Sequence, residues 1–154
     1  MPFSMSKAER ERFLAAPHVG VLAVDSGAGA DRGPLAVPVW YTYVPGGLLT
    51  VVTGRDSVKA RRIRAAGRFT LCAQREQGPA AYVSVEGPVV AVEDRLDRDE
   101  WAALANRYLS PEAARDYLAA AREQLAADTT FRMRPERWSS ADFSSFGADL
   151  SQDR

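Results

Sequence analysis

The sequence predicts an α+β domain built on a mostly antiparallel sheet or barrel of about six strands. Three observations carry this. Short apolar runs alternate with period two, turn-forming clusters join them as hairpins, and the helical segments fall in the order α-β-β-β-α-β-β-α-α-β rather than in strict βαβ alternation. The size agrees: 154 residues with 46% apolar side chains suit one domain with a sufficient core, here residues 1–143 followed by a polar tail at 144–154.

Each element has its own local reason. Ser6-Lys7-Ala8-Glu9 reads as a capping box, and the helix it opens, residues 6–16, must end before Pro17. Val19 to Val24 is a strand, and the glycine-rich loop from Asp25 to Pro34 joins it to the next as a hairpin. Leu35 to Val44 alternates as one strand, with Leu35, Val37, Val39, Tyr41 and Tyr43 on one face. Pro38 lies in its middle and cannot donate to a ladder, which puts this strand at an edge, at a bulge, or beside something other than another strand. Pro45-Gly46-Gly47 turns the chain into the strand at residues 48–53. A helix from Asp56 or Ser57 to Ala66 stops at Gly67, the residue type that most readily adopts the left-handed helix end. Strands at 69–74 and 82–92 follow. Residues 97–127 form a helical pair with an apolar stripe of Trp101, Leu104, Ala105, Tyr108, Tyr117, Leu118, Ala121 and Leu125, restarted at Ser110-Pro111. A last extended stretch runs from Thr129 past Pro135 to Phe143, and the tail from Ser144 is expected to fray.

Charge is balanced overall, with 20 Lys+Arg against 20 Asp+Glu, and this argues against a broad nucleic-acid-binding surface. The balance is local in origin. Arg55, Lys59, Arg61, Arg62, Arg64 and Arg68 face only Asp56 within that stretch, a segment charge of +5 that leaves −5 elsewhere. Lys59, Arg61 and Arg62 fall in the first turns of a helix, where cations are disfavoured by about 0.3–1 kcal/mol each unless an anion sits nearby. Helix N-terminal amides, the hydroxyls of Thr53 and Ser57, and the cations Arg55, Lys59 and Arg62 together make a phosphate site; the alternative is a solvated basic helix face. With 18 Arg and 2 Lys in the chain, Lys59 within the cluster fits a point-charge contact.

Other reactive residues are few. His18, the only histidine, reads as a packing residue, and Cys72, the only cysteine, as a buried thiol within a strand. Glu86 reads as an ion-pair partner or edge residue, and the aromatic residues as core. A single cysteine and a single histidine exclude a Cys/His metal cluster and disulfide staples, and no nucleophile-elbow, Walker, dinucleotide or zinc-protease motif is present. Any enzymatic chemistry must then come from a cofactor. No run approaches the ~18 apolar residues of a membrane span, and the first residues lack a signal-peptide core, so the expected compartment is the cytoplasm, with no membrane partner.

Three motifs carry a resemblance: Pro38-Val39-Trp40-Tyr41-Thr42-Tyr43, Val52-Thr53-Gly54-Arg55-Asp56-Ser57-Val58-Lys59-Ala60-Arg61, and Tyr82-Val83-Ser84-Val85-Glu86-Gly87. In this order and spacing they resemble the pyridoxamine 5′-phosphate oxidase-like superfamily, closest to its small actinobacterial members that bind FMN or the deazaflavin F420. The resemblance covers roughly residues 8–143. It implies a six-stranded antiparallel split β-barrel with peripheral helices, and a homodimer holding two cofactors in clefts at its interface. It also implies that Thr53, Arg55, Ser57, Lys59 and Arg62, with Val58 in the same motif, hold the cofactor phosphate, and that Val37, Pro38, Val39 and Trp40 line its ring system. Tyr82 lies where the true oxidases carry a glutamine that contacts the flavin. Their C-terminal Arg-x-His is replaced by Pro135-Glu136-Arg137-Trp138-Ser139-Ser140, so pyridoxamine phosphate oxidation itself is not expected. The expected function is hydride transfer from F420 or FMN to a small-molecule substrate. The alternatives are a non-catalytic carrier or sensor of flavin, F420 or haem on the same fold, and, less favoured, a nucleic-acid module using the basic helix.

Overall fold

The structure, a computed structural model, describes residues 2–95 and 97–148. The stripe position expected at Leu125 and the tail beyond residue 148 lie outside the described side chains and residues, respectively. Eight strands form the sheet: β1 (Gly20–Val24), β2 (Leu35–Val39), β3 (Tyr41–Tyr43), β4 (Leu49–Gly54), β5 (Arg68–Gln74), β6 (Ala81–Glu93), β7 (Asp128–Met133) and β8 (Arg137–Asp142). Their spatial order is β2-β1-β5-β6-β7-β4-β3, with β8 paired to β6, and every pairing is antiparallel.

The two ends of that path, β2 and β3, are consecutive in sequence. The sheet therefore closes into a barrel through the chain itself at Trp40, rather than through a ladder. Leu35–Val44 is for this reason two strands and not one: Leu35–Val39 pairs with β1, and after Trp40 the chain changes neighbour and pairs with β4. The expected single stretch after Thr129 also divides, around Pro135, because β7 pairs with β4 and the second half of β6 while β8 pairs with the first half of β6. These two divisions turn six expected strands into eight. The 13-residue β6 is long because it serves both halves, and a bulge between Val89 and Ala91 marks the change. At this crossing only glycine fits at position 87, since a Cβ would lie 1.8 Å from the carbonyl oxygen of Arg134.

Inward side chains fill the barrel: Leu22, Val39, Tyr41, Leu49, Val51, Leu71, Val83, Val85, Phe131 and Met133 are all buried. Two helices close it. α1 (Lys7–Ala15) forms the expected capping box and inserts Leu14, and α2 (Val58–Ala66), capped by Ser57 and ended by Gly67 at φ 68°, inserts Ala60 and Ile63. α3 (Arg98–Tyr108) and α4 (Pro111–Ala120) form the expected helical pair, with Ser110 as cap before Pro111. The pair ends sooner than the sequence suggests, and Gln124–Ala127 is a 3-10 turn. Ser144–Ala148 forms a short helix, α5, where fraying was expected. It is tied down because the Asp142 carboxylate accepts from the Ser144 amide and hydroxyl while Arg75 bonds the same hydroxyl. Among the described residues no helix is long and apolar enough to cross a membrane.

α3 is fixed at both ends. Near its start, Glu100 takes both ends of the Arg132 guanidinium at 2.7 and 2.8 Å. At its end, Arg107 donates to the carbonyls of Ala15, the last residue of α1, and Ala16, its C-cap, at 2.7 and 2.8 Å, and the Tyr108 hydroxyl donates to His18 O at 2.7 Å. Trp40 lies stacked against Tyr108, with ring centroids 5.1 Å apart and planes at 10°. The helical pair is thus a bolted cover over the chain crossing at Trp40.

Candidate functional site

β4 leads into α2 through a tight turn, in which Ser57 N donates to Gly54 O at 3.0 Å. The Ser57 hydroxyl accepts from the Ala60 amide and lies 3.3 Å from the Thr53 hydroxyl, which is buried at the end of the strand. The first amides of a helix have no carbonyl within it to bond. Ser57 satisfies that of Ala60, and the amides of Val58 and Lys59 find no acceptor among the described residues. Val58 is 55% exposed, so this end of α2 is open. Lys59 is half-buried and forms neither an ion pair nor a side-chain hydrogen bond among the described residues. Two free amides, two hydroxyls and an unneutralised ammonium at the positive end of a helix dipole suit a phosphate group.

Arg55 and Arg62 are held differently. The Arg55 guanidinium turns towards the end of β6, donating to Asp94 O at 2.7 Å and lying 3.6 Å from the Asp94 carboxylate. Arg64 joins it there at 3.1 Å, and the Thr129 hydroxyl with these two cations holds the Asp94 carboxyl below the usual range. Arg55 is therefore the lock of the β4–α2 turn, its own amide bonding Ala127 O at 2.7 Å. Arg62 reaches across to the β1–β2 loop and donates to Ser26 O at 2.9 Å. It lines a cavity of about 410 Å³ with Val58 and Arg61 of α2, Leu35 and Ala36 of β2, and Arg32 of the loop.

The structure thus joins Thr53 to Ser57 in the turn and sets Val58 and Arg62 on the cavity with the start of β2, while Lys59, in the first turn of α2, is not in that lining. The ring-lining strand offers less side chain than the resemblance implies: Val37 and Val39 face the core, and Trp40 is stacked beneath α3 and α4. What β2 leaves open is Pro38, exposed and opposite Val21, and the backbone edge that no other strand of the described residues covers. Tyr82 is not brought to this cluster. It pairs with Gln74, six residues along β5 from the Arg68 end where α2 finishes, a span of roughly 20 Å at the usual rise. There it is 37% exposed and lines a different cavity with Phe3, Arg10, Trp138 and Phe143. Arg32 is the residue that sequence reasoning missed; its one signal is a lone cation in a loop hinged on glycines at positive φ, Gly27 and Gly29.

Of the remaining reactive residues, His18 stacks on Phe13 at 4.3 Å and Glu86 pairs with Arg137 at 3.7 Å, whereas Cys72 is half-buried on the outward face of β5 rather than buried as expected, with partial burial pushing its thiol up. His18 and Glu86 agree with a structural role.

Residues 6–142 match the pyridoxamine 5′-phosphate oxidase family, a span that includes the whole barrel and the β4–α2 junction. The chain belongs to this family. No curated protein matches it in sequence at significance. Among solved structures the family fold recurs in an F420 reductase, 22% identical, with a TM-score of 0.64 over 84% of this chain and 94% of that one. It recurs in a conserved hypothetical protein of Mycobacterium tuberculosis, 21% identical, with a TM-score of 0.69 over 94% and 89%. A heme binding protein of Mycobacterium smegmatis is 22% identical, with a TM-score of 0.58 over 94% of this chain and 61% of that one. At these identities the likeness is one of fold.

Proposed function

We propose that the chain is a flavin- or deazaflavin-dependent oxidoreductase of the cytoplasm, holding F420 or FMN by its phosphate at the β4–α2 junction and serving a small-molecule substrate. The carrying observation is the unsatisfied set at that junction: the amides of Val58 and Lys59 and the Lys59 ammonium, beside a cavity without a carboxylate in its lining. The bound cofactor supplies the hydride chemistry. The chain's part is positional: Ser57, Thr53 and Lys59 fix the phosphate, Arg55 stiffens the turn that presents them, and the open edge of β2 at Pro38 receives a flat ring. Both cofactors carry a suitable phosphate, and the similarity to an F420 reductase supports the deazaflavin.

The working unit in this reading is a homodimer. The outward face of β2, β1, β5 and β6 carries Ala36, Pro38, Val21, Ala23, Thr70, Cys72 and Ser84, with Val21 39% exposed and the charges of Arg68 and Glu86 at one end of the same face. A second copy seated there would bring Tyr82 of one chain to the cofactor of the other, a reach that it lacks within its own chain.

The test is titration of FMN and F420 into the wild type and a Ser57→Ala/Lys59→Ala variant. Loss of charge-assisted hydrogen bonds worth about 1.5–3 kcal/mol each should weaken binding by 100-fold or more with the fold intact, and unchanged affinity would place the anion elsewhere. A non-catalytic carrier is the second reading. It is favoured by the lack of an acid or an imidazole in the described lining of the cavity beside the junction, and by the similarity to a heme binding protein. Turnover of a quinone by the reduced complex decides between the two.

A further inference from the structure

Arg10 of α1 is placed unlike the arginines around β8. Arg137 in β8, Arg134 just before it and Arg75 against it are paired with Glu86, Glu136 and Asp142. The half-buried Arg10 guanidinium instead lies 4.8 Å from the centroid of the Trp138 ring, forms neither an ion pair nor a side-chain hydrogen bond among the described residues, and has its Nε buried without an acceptor. A guanidinium stacked through its flat face keeps an N–H edge, and that edge matches a carboxylate in shape and charge.

The space beside it suits the rest of such a ligand. Arg10 and Trp138 line a cavity of about 340 Å³ whose other aromatic walls are Phe3, Tyr82 and Phe143, and Arg10 is the only charged residue in its described lining. The walls are fixed. Tyr43 meets Trp138 edge to face at 6.1 Å, and the Phe3 and Phe143 rings lie 4.8 Å apart. The N-terminal segment is tied to β8, with Phe3 O accepting from Asp142 N at 2.9 Å and Ser140 Oγ from Met5 N at 3.2 Å. A larger cavity of about 560 Å³ shares that segment, but there Arg12 and Arg75 are accompanied by Glu9 and Asp142. Of the two, the smaller holds the unbalanced charge.

We propose that the cavity at Arg10 and Trp138 binds a small planar carboxylate of about one or two fused rings, with Arg10 taking the carboxylate and Phe3, Tyr82 and Phe143 enclosing the rings. A single cation among aromatic walls selects a monoanion with an apolar body, whereas a phosphate calls for several donors like those at Ser57–Lys59. The binding stands on the cavity alone. Its role rests on the proposed homodimer: with Tyr82 of one chain at the cofactor of the other, the bound carboxylate is the substrate and Arg10 sets its class.

2-Naphthoate and the uncharged 2-naphthamide are titrated by calorimetry into the wild type, Arg10→Gln and Lys59→Ala, without cofactor and with FMN or F420. The wild type should prefer the naphthoate by about tenfold or more, Arg10→Gln should erase that preference while holding the amide within about twofold, and Lys59→Ala should leave it intact. Binding of neither probe, equal binding of both, or a preference lost in Lys59→Ala and kept in Arg10→Gln overturns the site. If Arg10→Gln does not fold, Tyr82→Ala replaces it: naphthoate should weaken about tenfold, and unchanged affinity overturns the site. If the wild type takes neither cofactor yet binds naphthoate through Arg10, the cofactor reading has failed and the site stands. In the loaded wild type naphthoate should compete with the quinone; naphthoate that binds without slowing turnover overturns the substrate role.

Discussion

Arginine does opposite work on the two sides of this barrel. On the covered side, Arg107 spends its guanidinium on the carbonyls that end α1 and on the faces of Tyr41 and Tyr108, 5.1 and 5.6 Å away, and Arg132 is shared between Glu93 and Glu100. On the α2 side, Lys59, Arg32, Arg61 and Arg62 have no carboxylate partner among the described residues. The first set is spent on protein acceptors; in the second Arg61 and Arg62 each give one nitrogen to a backbone carbonyl, and these are the cations beside the proposed cofactor site. The distinction is one of partners and not of residue type, and it can be broken experimentally.

The largest effect should come from Arg107→Ala. Removing two bonds from a charged donor to helix-terminal carbonyls, at roughly 1.5–3 kcal/mol each, should lower unfolding stability by about 3 kcal/mol. Urea denaturation checks this, and cofactor affinity should not move in the remaining folded protein. Lys59→Ala should do the reverse, with stability within about 0.5 kcal/mol of wild type, as for a surface change, and affinity for the phosphate-bearing cofactor down 10- to 100-fold. A stability loss without an affinity loss would erase the distinction between the two sides.

Tyr108→Phe sharpens the covered side. The hydroxyl accepts from the Tyr41 amide at 3.2 Å and donates to His18 O at 2.7 Å, so its loss strands the Tyr41 backbone donor at the start of β3, at a cost of about 1–3 kcal/mol. The smallest effect concerns pH. Burial, and then the Arg107 cation, push the His18 imidazole below its ordinary value, so the unfolded chain takes up the proton first. The stability associated with His18 is complete above that ordinary value and declines as pH falls through it towards the folded value. His18 is the only histidine, so a denaturation midpoint that falls from pH 8 to 5.5 in the wild type should be flatter in His18→Phe, which keeps a ring against Phe13.

What the sequence shows and what it conceals divide along the same physical line. The capping box at Ser6–Glu9, the Ser57 cap, Gly67 as helix stop and Ser110-Pro111 all depend on neighbours within a few residues, and all are found. The inward face of Leu35, Val37, Val39, Tyr41 and Tyr43 is also legible, because alternation continues unbroken through Trp40. That same continuity hides the change of partner, which depends on β1 and β4 and leaves no mark in the period. Pro135 is visible as a break, but the exchange of sheets around it is not. The site divides likewise: Thr53, Ser57, Val58 and Lys59 share one local segment, whereas the pairing of Arg55 with Asp94 and the arrival of Arg32 beside Arg61 and Arg62 are products of tertiary packing.

The most direct test of the account is a titration of FMN and F420 into the purified wild-type protein, followed by visible absorbance and fluorescence. Saturable binding of at least one cofactor, at one per chain, is the predicted result. Failure to bind either, in protein that unfolds cooperatively, would contradict the reading of the β4–α2 junction as a cofactor phosphate site.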